Sequence, residues 1–389
     1  MCDVAVIGGG PVGSHVAYKL AGMGYGVVVL EQKEKLGEQV CCTGIIGKEC
    51  VDSFAIDDHV ILRWVNSARL FSPSGKLLRL WRRENQACIL DRAAFDVAMA
   101  GRAQDRGVEY VFNSPVRHIE IGDNGVRVEV ARQGQRSNFE AKAAVIAAGS
   151  GSRLTEGLGK VGRFVAGAQV EVEAEVDEVE IYFGQKIAPG FFAWLVPTSP
   201  HRALVGLLSR RSPGLYLERL ISSLLAQGKI VSTEGKLCYG GVPLKPLSRT
   251  YGERLLVVGS AAGQVKPSTG GGIYYGLLCA DLAADNLHRA LETNSLSARS
   301  LANYEREWKM KIAQELKMGY WVRRFYEHLS DRQIDKIFDI MKTRGIIDTL
   351  LKADDLSFDW HGEAMARLLG RGAIAKVIKV MRLPYLLFK

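Results

Sequence analysis

Three groups of residues in this chain have the types and spacing that chemistry requires. The first is Gly8-Gly9-Gly10-Pro11-Val12-Gly13, which fits G-x-G-x-x-G through Gly8, Gly10 and Gly13. In that spacing Gly8 permits a tight turn, Gly10 lets backbone approach a pyrophosphate, and Gly13 lets a helix pack closely on a strand. Glu31 completes the group, because a carboxylate there accepts hydrogen bonds from ribose hydroxyls and disfavours a 2′-phosphate. The second group is the thiol pair Cys41-Cys42, followed at once by Thr43-Gly44-Ile45. The third is Pro189-Gly190-Phe191-Phe192-Ala193-Trp194-Leu195-Val196-Pro197, in which aromatic side chains are bracketed by prolines.

The elements around the first group fall in the order that dinucleotide binding needs. Val4–Ile7 is a short apolar run bounded by glycine, as a buried parallel strand should be. Val16, Leu20 and Met23 follow at helical spacing, and Gly24 and Gly26 end that helix. Val27–Leu30 reads as the second strand, and Glu31 stands at its tip. The N-terminus of the intervening helix offers free N–H groups and the positive end of a dipole to phosphates.

Further along, Asp91 caps a helix with Arg92 in its first turn, and a strand is expected near 108–112. A hairpin spans His118–Ile121 and Val126–Ala131 through Asn124-Gly125, and Ala143–Gly149 reads as another buried strand. Leu255–Val258 then leads into Gly259-Ser260-Ala261-Ala262-Gly263, and Gly270-Gly271-Gly272-Ile273 opens a helix that runs to about Leu291. A dehydrogenase that binds only a nicotinamide dinucleotide has no need of this second glycine-rich helix start. The set therefore reads as a cradle for FAD, with backbone N–H groups for the flavin ring and its phosphates.

With these segments in place the chain resembles the flavoprotein superfamily of aromatic hydroxylases and, within it, the geranylgeranyl reductase family. The resemblance covers residues 1 to about 290. It rests on Gly8–Gly13 with Glu31, Cys41–Ile45, Asp91-Arg92 with Phe95-Asp96, Gly259 to Ile273, and Pro189–Pro197. The last looks like P-x-x-Y-x-W-x-F-P with Phe192 for Tyr and Val196 for Phe. The resemblance implies an FAD-dependent reductase that saturates the C=C bonds of geranylgeranyl or polyprenyl chains on membrane lipids or their precursors. It implies FAD contacts at Gly8, Gly10, Val12, Gly13, Glu31, Cys41, Cys42, Gly44, Arg92, Val116, Gly259, Ser260, Gly271, Gly272 and Ile273. It also implies an α/β fold: a Rossmann-type FAD-binding domain, an inserted antiparallel β-sheet substrate domain, and a C-terminal helical region. The expected boundaries are 1–62, 85–165 and 245–295 for the first, 63–84 and 166–244 for the second, and 296–389 for the third.

Two departures bear on the electron donor. Gly149-Ser150 stands where the superfamily usually has Asp-Gly, and Gly259-Ser260 where it usually has Gly-Asp. The donor is therefore either NAD(P)H or a ferredoxin-like protein. Reduction of an isolated alkene needs a hydride on one carbon and a proton for the other, with water excluded. Cys41 is the expected substrate-facing thiol and Cys42 the second candidate. A thiol there either helps protonate or shapes the pocket, and two small buried hydrophobes are the competing interpretation. Pro189, Phe192, Trp194 and Pro197 are expected to wall an apolar cavity, and ordinary sheet-core aromatics are the alternative. The stretch Val170–Phe183 alternates Val with acidic residues, which suggests a half-exposed antiparallel strand pair with its acids on the solvated face.

Other chemistries find little support. There is no C-x-x-C, no H-x-x-x-H and no G-x-S-x-G, so no zinc or iron–sulfur site is expected. A flavin monooxygenase or halogenase is one alternative. Only one Trp of the halogenase W-x-W-x-I-P motif is present, and Lys76 is a loose candidate for the catalytic lysine. A flavin relay passing electrons to quinone is another. Seven scattered cysteines make no disulfide framework, and no apolar run is long enough to span a bilayer. With no leader legible at the N-terminus, a cytoplasmic location is expected. The net charge of +9 favours anionic partners, yet no nucleic-acid motif appears. Lys376, Lys379 and Arg382 fall on one flank of an apolar C-terminal helix, which suits peripheral attachment to the inner face of the cell membrane. The expected partners are thus a prenylated lipid or prenyl diphosphate, an electron-donor protein and a membrane surface.

Overall fold

The computed structural model describes residues 2–38, 40–132, 135–159, 164–233, 235–343, 351 and 357–360. The basic C-terminal helix expected around Lys376–Arg382 lies outside them. The chain divides into two compact units: Met1–Val40, Arg92–Phe164 and Val242–Leu316 form one, and Cys41–Asp91, Val165–Gly241 and Lys317–Lys389 form the other. Residues 41–62 group with the second unit because Ile45–Gly47 pairs with Ala87–Leu90, which in turn pairs with Ile61–Val65.

The first unit is built on a mainly parallel sheet. Its strand order is Tyr251–Gly252, Leu255–Val257, Gln135–Ile146, Cys2–Ile7, Val27–Leu30, Glu109–Val111. Cys2–Ile7 is central and pairs in parallel with both Gln135–Ile146 and Val27–Leu30. Buried on both faces, these strands can be continuously apolar, and Val4, Ala5, Val6 and Val29 are fully buried. The strand Gln135–Ile146 does double duty. Its first half carries the hairpin Val116–Ile121 and Val126–Arg132, and its second half enters the parallel sheet. The helix Pro11–Gly22 packs on the helices Arg92–Gln104 and Ile273–Glu292.

The second unit holds a seven-stranded sheet in the order Cys238–Pro243, Phe164–Glu173, Arg202–Ser209, Phe192–Ser199, Val179–Phe183, Ser67–Phe71, Leu77–Trp81. Phe164–Glu173 and Val179–Phe183 share this sheet but are not a pair: Arg202–Ser209 and Phe192–Ser199 lie between them. The acids of this stretch also divide. Glu173 and Glu175 are exposed, whereas Glu178 and Glu180 are buried. Buried carboxylates need partners. Glu178 accepts from Arg69 at 2.5 Å and Arg79 at 2.7 Å, and Glu180 accepts from Lys229 at 2.6 Å. Those cations come from remote segments, which is why alternation alone assigned the acids to solvent. Leu217, Leu220 and Leu224 of the helix Pro213–Ala226 join the core cluster with Ala193 and Leu195 on one face of this sheet.

Candidate functional site

In the first unit the glycine turn is shaped by exclusion. A Cβ on Gly8 would lie 2.6 Å from the Ala147 carbonyl oxygen, and Gly8 has φ +107°. A Cβ on Gly13 would lie 2.0 Å from the Gly8 carbonyl oxygen, so the first turn of the helix rests directly on the loop. Around Gly10 the opposite holds: a Cβ there would meet nothing within 4 Å. Gly10 is the N-cap of the helix Pro11–Gly22, and no side chain caps it. No side chain therefore meets the N–H groups of that first turn, which suits a pyrophosphate.

Glu31 is buried, and its two oxygens accept from the Gly9 N–H at 2.7 Å and the Lys33 N–H at 2.9 Å. The carboxylate thus ties the strand tip to the glycine turn, and each oxygen keeps a lone pair for a ribose hydroxyl. Two residues without a local motif support the turn. Tyr110 donates to Ser14 Oγ at 2.8 Å, and Ser14 donates to the Gly9 carbonyl at 3.0 Å. Burial pushes the Tyr110 phenol up to about 12, so it stays a donor.

The second glycine segment is packed in the same way. Gly259 and Gly276 flank the Val12 side chain: a Cβ on either would approach it to 3.1 Å or 2.5 Å. Gly259 has φ +65°, and its N–H donates to Gln264 Oε1 at 2.8 Å. Gln264 in turn donates to Tyr304, which donates to the Val257 carbonyl. Ser260 lies beside Gly272, where a Cβ would be 3.4 Å from Ser260 Oγ. The helix Ile273–Glu292 begins after Gly272, again with no side-chain cap, and Gly271 precedes it. Two uncapped helix N-termini preceded by glycine, with a buried carboxylate at the first, fit a dinucleotide that carries two phosphates. Arg92 pairs with Asp96 at 2.5 Å. Burial raises the Asp96 carboxyl above its ordinary value, against the lowering effect of Arg92. Val116 packs against the core of the parallel sheet.

In the second unit the thiols belong to a cluster assembled from four segments. The Cys41 side chain hydrogen-bonds the thiol of Cys238, and a Cβ on Gly240 would be 3.5 Å from Cys41 Cβ. The shared hydrogen bond raises Cys41 and lowers Cys238, which also accepts from the Gln169 backbone N–H. The two thiols thus form one hydrogen-bonded pair. Cys42 differs: its sulfur accepts from the Gly44 N–H at 3.4 Å, and its carbonyl accepts from Gln169 Nε2 at 3.3 Å. Gly44 has φ +71°, which lets the loop turn into the strand Ile45–Gly47. Gln169 is buried and also accepts from Trp194 Nε1 at 3.2 Å. Gln169 thus links Trp194, Cys42 and Cys238. Neither Gln169 nor Cys238 carries a sequence motif, and only the strand register brings them to the cysteine loop.

Trp194 lies over Gly206, its register partner, where a Cβ would be 2.5 Å from the indole. Phe192 shares the face of Trp194, with ring centroids 6.2 Å apart. Phe191 meets Phe192 from outside the strand, with ring centroids 4.9 Å apart. It is buried just before the strand begins, with the Arg323 guanidinium 5.7 Å from its ring centroid. Pro197 is buried at the end of regular pairing, where the register shifts before Ser199. Pro189 is also buried, and its carbonyl accepts from the Arg210 N–H. Pro189 thus lies in the turn before the strand and Pro197 within its last paired stretch, while Phe192 and Trp194 share one face. Lys76 sits on the turn of a surface hairpin and binds both carboxylate oxygens of Asp339 at 2.8 and 2.7 Å.

A family model described as lycopene cyclase protein matches residues 3–355. A digeranylgeranylglycerophospholipid reductase of Methanothermobacter thermautotrophicus is 30% identical over 366 residues, covering 86% of this chain and 90% of the relative. The chain belongs to the family of that model and to the geranylgeranyl reductase family. A solved geranylgeranyl bacteriochlorophyll reductase-like protein of Thermoplasma acidophilum shares the fold, with TM-score 0.85, 24% identity and 98% of each chain covered. A halogenase solved in complex with FAD shares it more distantly, with TM-score 0.69 and 14% identity over 90% of this chain and 82% of the halogenase. This geranylgeranyl reductase family member therefore has the flavoprotein fold.

Proposed function

We propose that the protein is an FAD-dependent reductase that saturates C=C bonds in the geranylgeranyl chains of prenylated glycerophospholipids or their precursors. One combination carries the reading. A chain of this family has two uncapped, glycine-preceded helix starts and buried Glu31 in one unit, and a thiol cluster beside aromatic Trp194 in the other. Reduced FAD, when bound, supplies the hydride. Gly8, Gly10, Val12, Gly13, Glu31, Arg92, Val116, Gly259, Ser260, Gly271, Gly272 and Ile273 hold the dinucleotide, with Cys41, Cys42 and Gly44 on the loop toward its ring. Cys41 holds the proton for the second carbon at its sulfur, and Cys238 keeps that thiol oriented. Phe192 and Trp194 exclude water and hold the chain, with Pro189 in the turn before their strand and Pro197 within it.

The electron donor is a nicotinamide or a ferredoxin-like protein, and the substrate is met at a membrane surface. No helix among the described residues is long and apolar enough to cross a membrane. The test is a single-turnover reaction of the chemically reduced holoenzyme with a geranylgeranyl lipid, read by mass spectrometry. Saturation adds two hydrogens per double bond. Cyclisation leaves the mass unchanged, and halogenation or hydroxylation adds a heteroatom, so either of those products rejects the reading.

A further inference from the structure

Within the second unit a polar cavity of about 440 Å³ opens beside the proline bracket, lined by Gln185, Pro189, Gly190, Arg210, Arg211, Glu327 and His328. That volume lies in the range of small-molecule sites. Its charges do not balance. Glu327 pairs with Arg210 and lies 3.3 Å from Arg323, while the exposed guanidinium of Arg211 has no protein partner among the described residues. Two arginines thus share one carboxylate, and a third stands unpaired at the cavity. Arg323 is buried behind the lining, and its Nη2 faces Glu327 Oε2 as an ion pair. Burial, with the like charge of Arg210 adding to it, brings Arg323 down to about 10. Glu327 is thus shared between Arg323 and Arg210, and the Arg211 guanidinium at the cavity is left for an anion.

The walls are fixed in advance. Ser209 Oγ accepts from the Arg211 N–H and donates to the Arg211 carbonyl, and the Arg210 N–H donates to the Pro189 carbonyl. Gln185 Oε1 accepts from the Gly190 N–H, and its amide donates to the Leu329 carbonyl. His328 donates from Nδ1 to the Arg324 carbonyl at 2.7 Å, which leaves Nε2 for a ligand.

We propose that this cavity binds a phosphate ester, namely the head-group phosphate of the prenylated lipid; the assignment to the lipid rests on the reductase reading above. Arg211, with Arg210 beside it in the lining, supplies the forked donors that suit phosphate oxygens. Pro189 then joins two tasks, because it lies in the turn that leads into the strand carrying Trp194 and borders the phosphate cavity.

The test uses the holoenzyme and Arg211→Glu, an exposed position whose replacement leaves the core intact. Inorganic phosphate and glycerol phosphate are titrated by calorimetry. In parallel, kcat/KM is measured on a geranylgeranyl glycerophospholipid and on the same prenylated glycerol without its phosphate. The wild-type protein is expected to favour the phosphorylated lipid by about tenfold or more, and Arg211→Glu to bring that ratio close to one. Loss of the phosphate-binding heat in the variant with the lipid ratio unchanged would assign the cavity to free phosphate and overturn the head-group proposal. An unchanged ratio with no binding heat in either protein overturns the anion site altogether. If neither lipid is reduced by the wild-type protein, the reductase reading fails, and the calorimetry still decides whether the cavity takes phosphate.

Discussion

The glycine cradle of the first unit and the thiol cluster of the second reach a defined geometry by opposite routes. The cradle is made of backbone. Its critical distances lie between Gly13 and Gly8, and between Val12 and Gly259 or Gly276, where the absence of a Cβ sets the approach. The thiol cluster is made of side chains from the loop at 41–44, from Gln169, from Trp194 and from Cys238. A backbone site is robust to most changes of side chain but fails when one methyl is added. A side-chain site fails by degrees, because each hydrogen bond can be removed alone.

That contrast can be broken most sharply at Gly13. In Gly13→Ala the new methyl would meet the Gly8 carbonyl, which has no flexible end to move aside. The expected result is loss of bound flavin and of about 3 kcal/mol of stability, read from flavin absorbance per protein and chemical denaturation. Retention of flavin at wild-type level would mean that the turn is not the phosphate cradle.

The second unit should respond in steps. Cys41→Ala is expected to keep FAD and to slow alkene reduction about a hundredfold, as for loss of a positioned acid. Thiol alkylation against pH gives an independent reading. The hydrogen bond from Cys41 holds Cys238 below the ordinary thiol value of 9.0 and Cys41 above it. In the wild-type protein Cys238 should therefore be alkylated with a midpoint below 9.0, and Cys41→Ala should return that midpoint toward 9.0. The linkage has the same sign: ionised Cys238 stabilises the fold above its unfolded value, and this is lost as pH falls through the lowered folded value. If the Cys238 midpoint does not move, the two sulfurs do not share a proton. Cys42→Ala is the control, because its sulfur bonds only within its own turn.

The smallest effect is expected at Gly206, the second unit's counterpart to Gly13. A methyl there meets the Trp194 indole, a side chain that can shift, rather than backbone. Gly206→Ala should cost about 1–3 kcal/mol and lower activity on long prenyl chains on the order of tenfold, with flavin retained. Equal loss of flavin in Gly206→Ala and Gly13→Ala would erase the distinction between the two regions.

The nucleotide-binding start was legible because each signal is local. Strand, glycine turn, helix, strand and acid occupy Val4 to Glu31 in one continuous run. The helix starting at Ile273 was also visible, since glycines mark its N-terminus. Less was legible where partners are remote. The acids at 178 and 180 carry the same alternation as those at 171 and 173, yet Arg69, Arg79 and Lys229 draw them inside. The pleat sends Phe192 and Trp194 to the same side of their strand, while Phe191, one residue before the strand begins, meets Phe192 from outside it.

The sequence by itself determined the backbone chemistry of this protein: which turns are glycine, which helices start bare, and which strand tip carries Glu31. These depend on φ, on Cβ and on neighbours within a few residues, so they are written locally. Only the tertiary structure decided that Cys238 meets Cys41, and that Gln169 joins Trp194 to the cysteine loop. Those contacts follow from the register of a seven-stranded sheet, where a slip of one residue would turn each of these side chains to the other face.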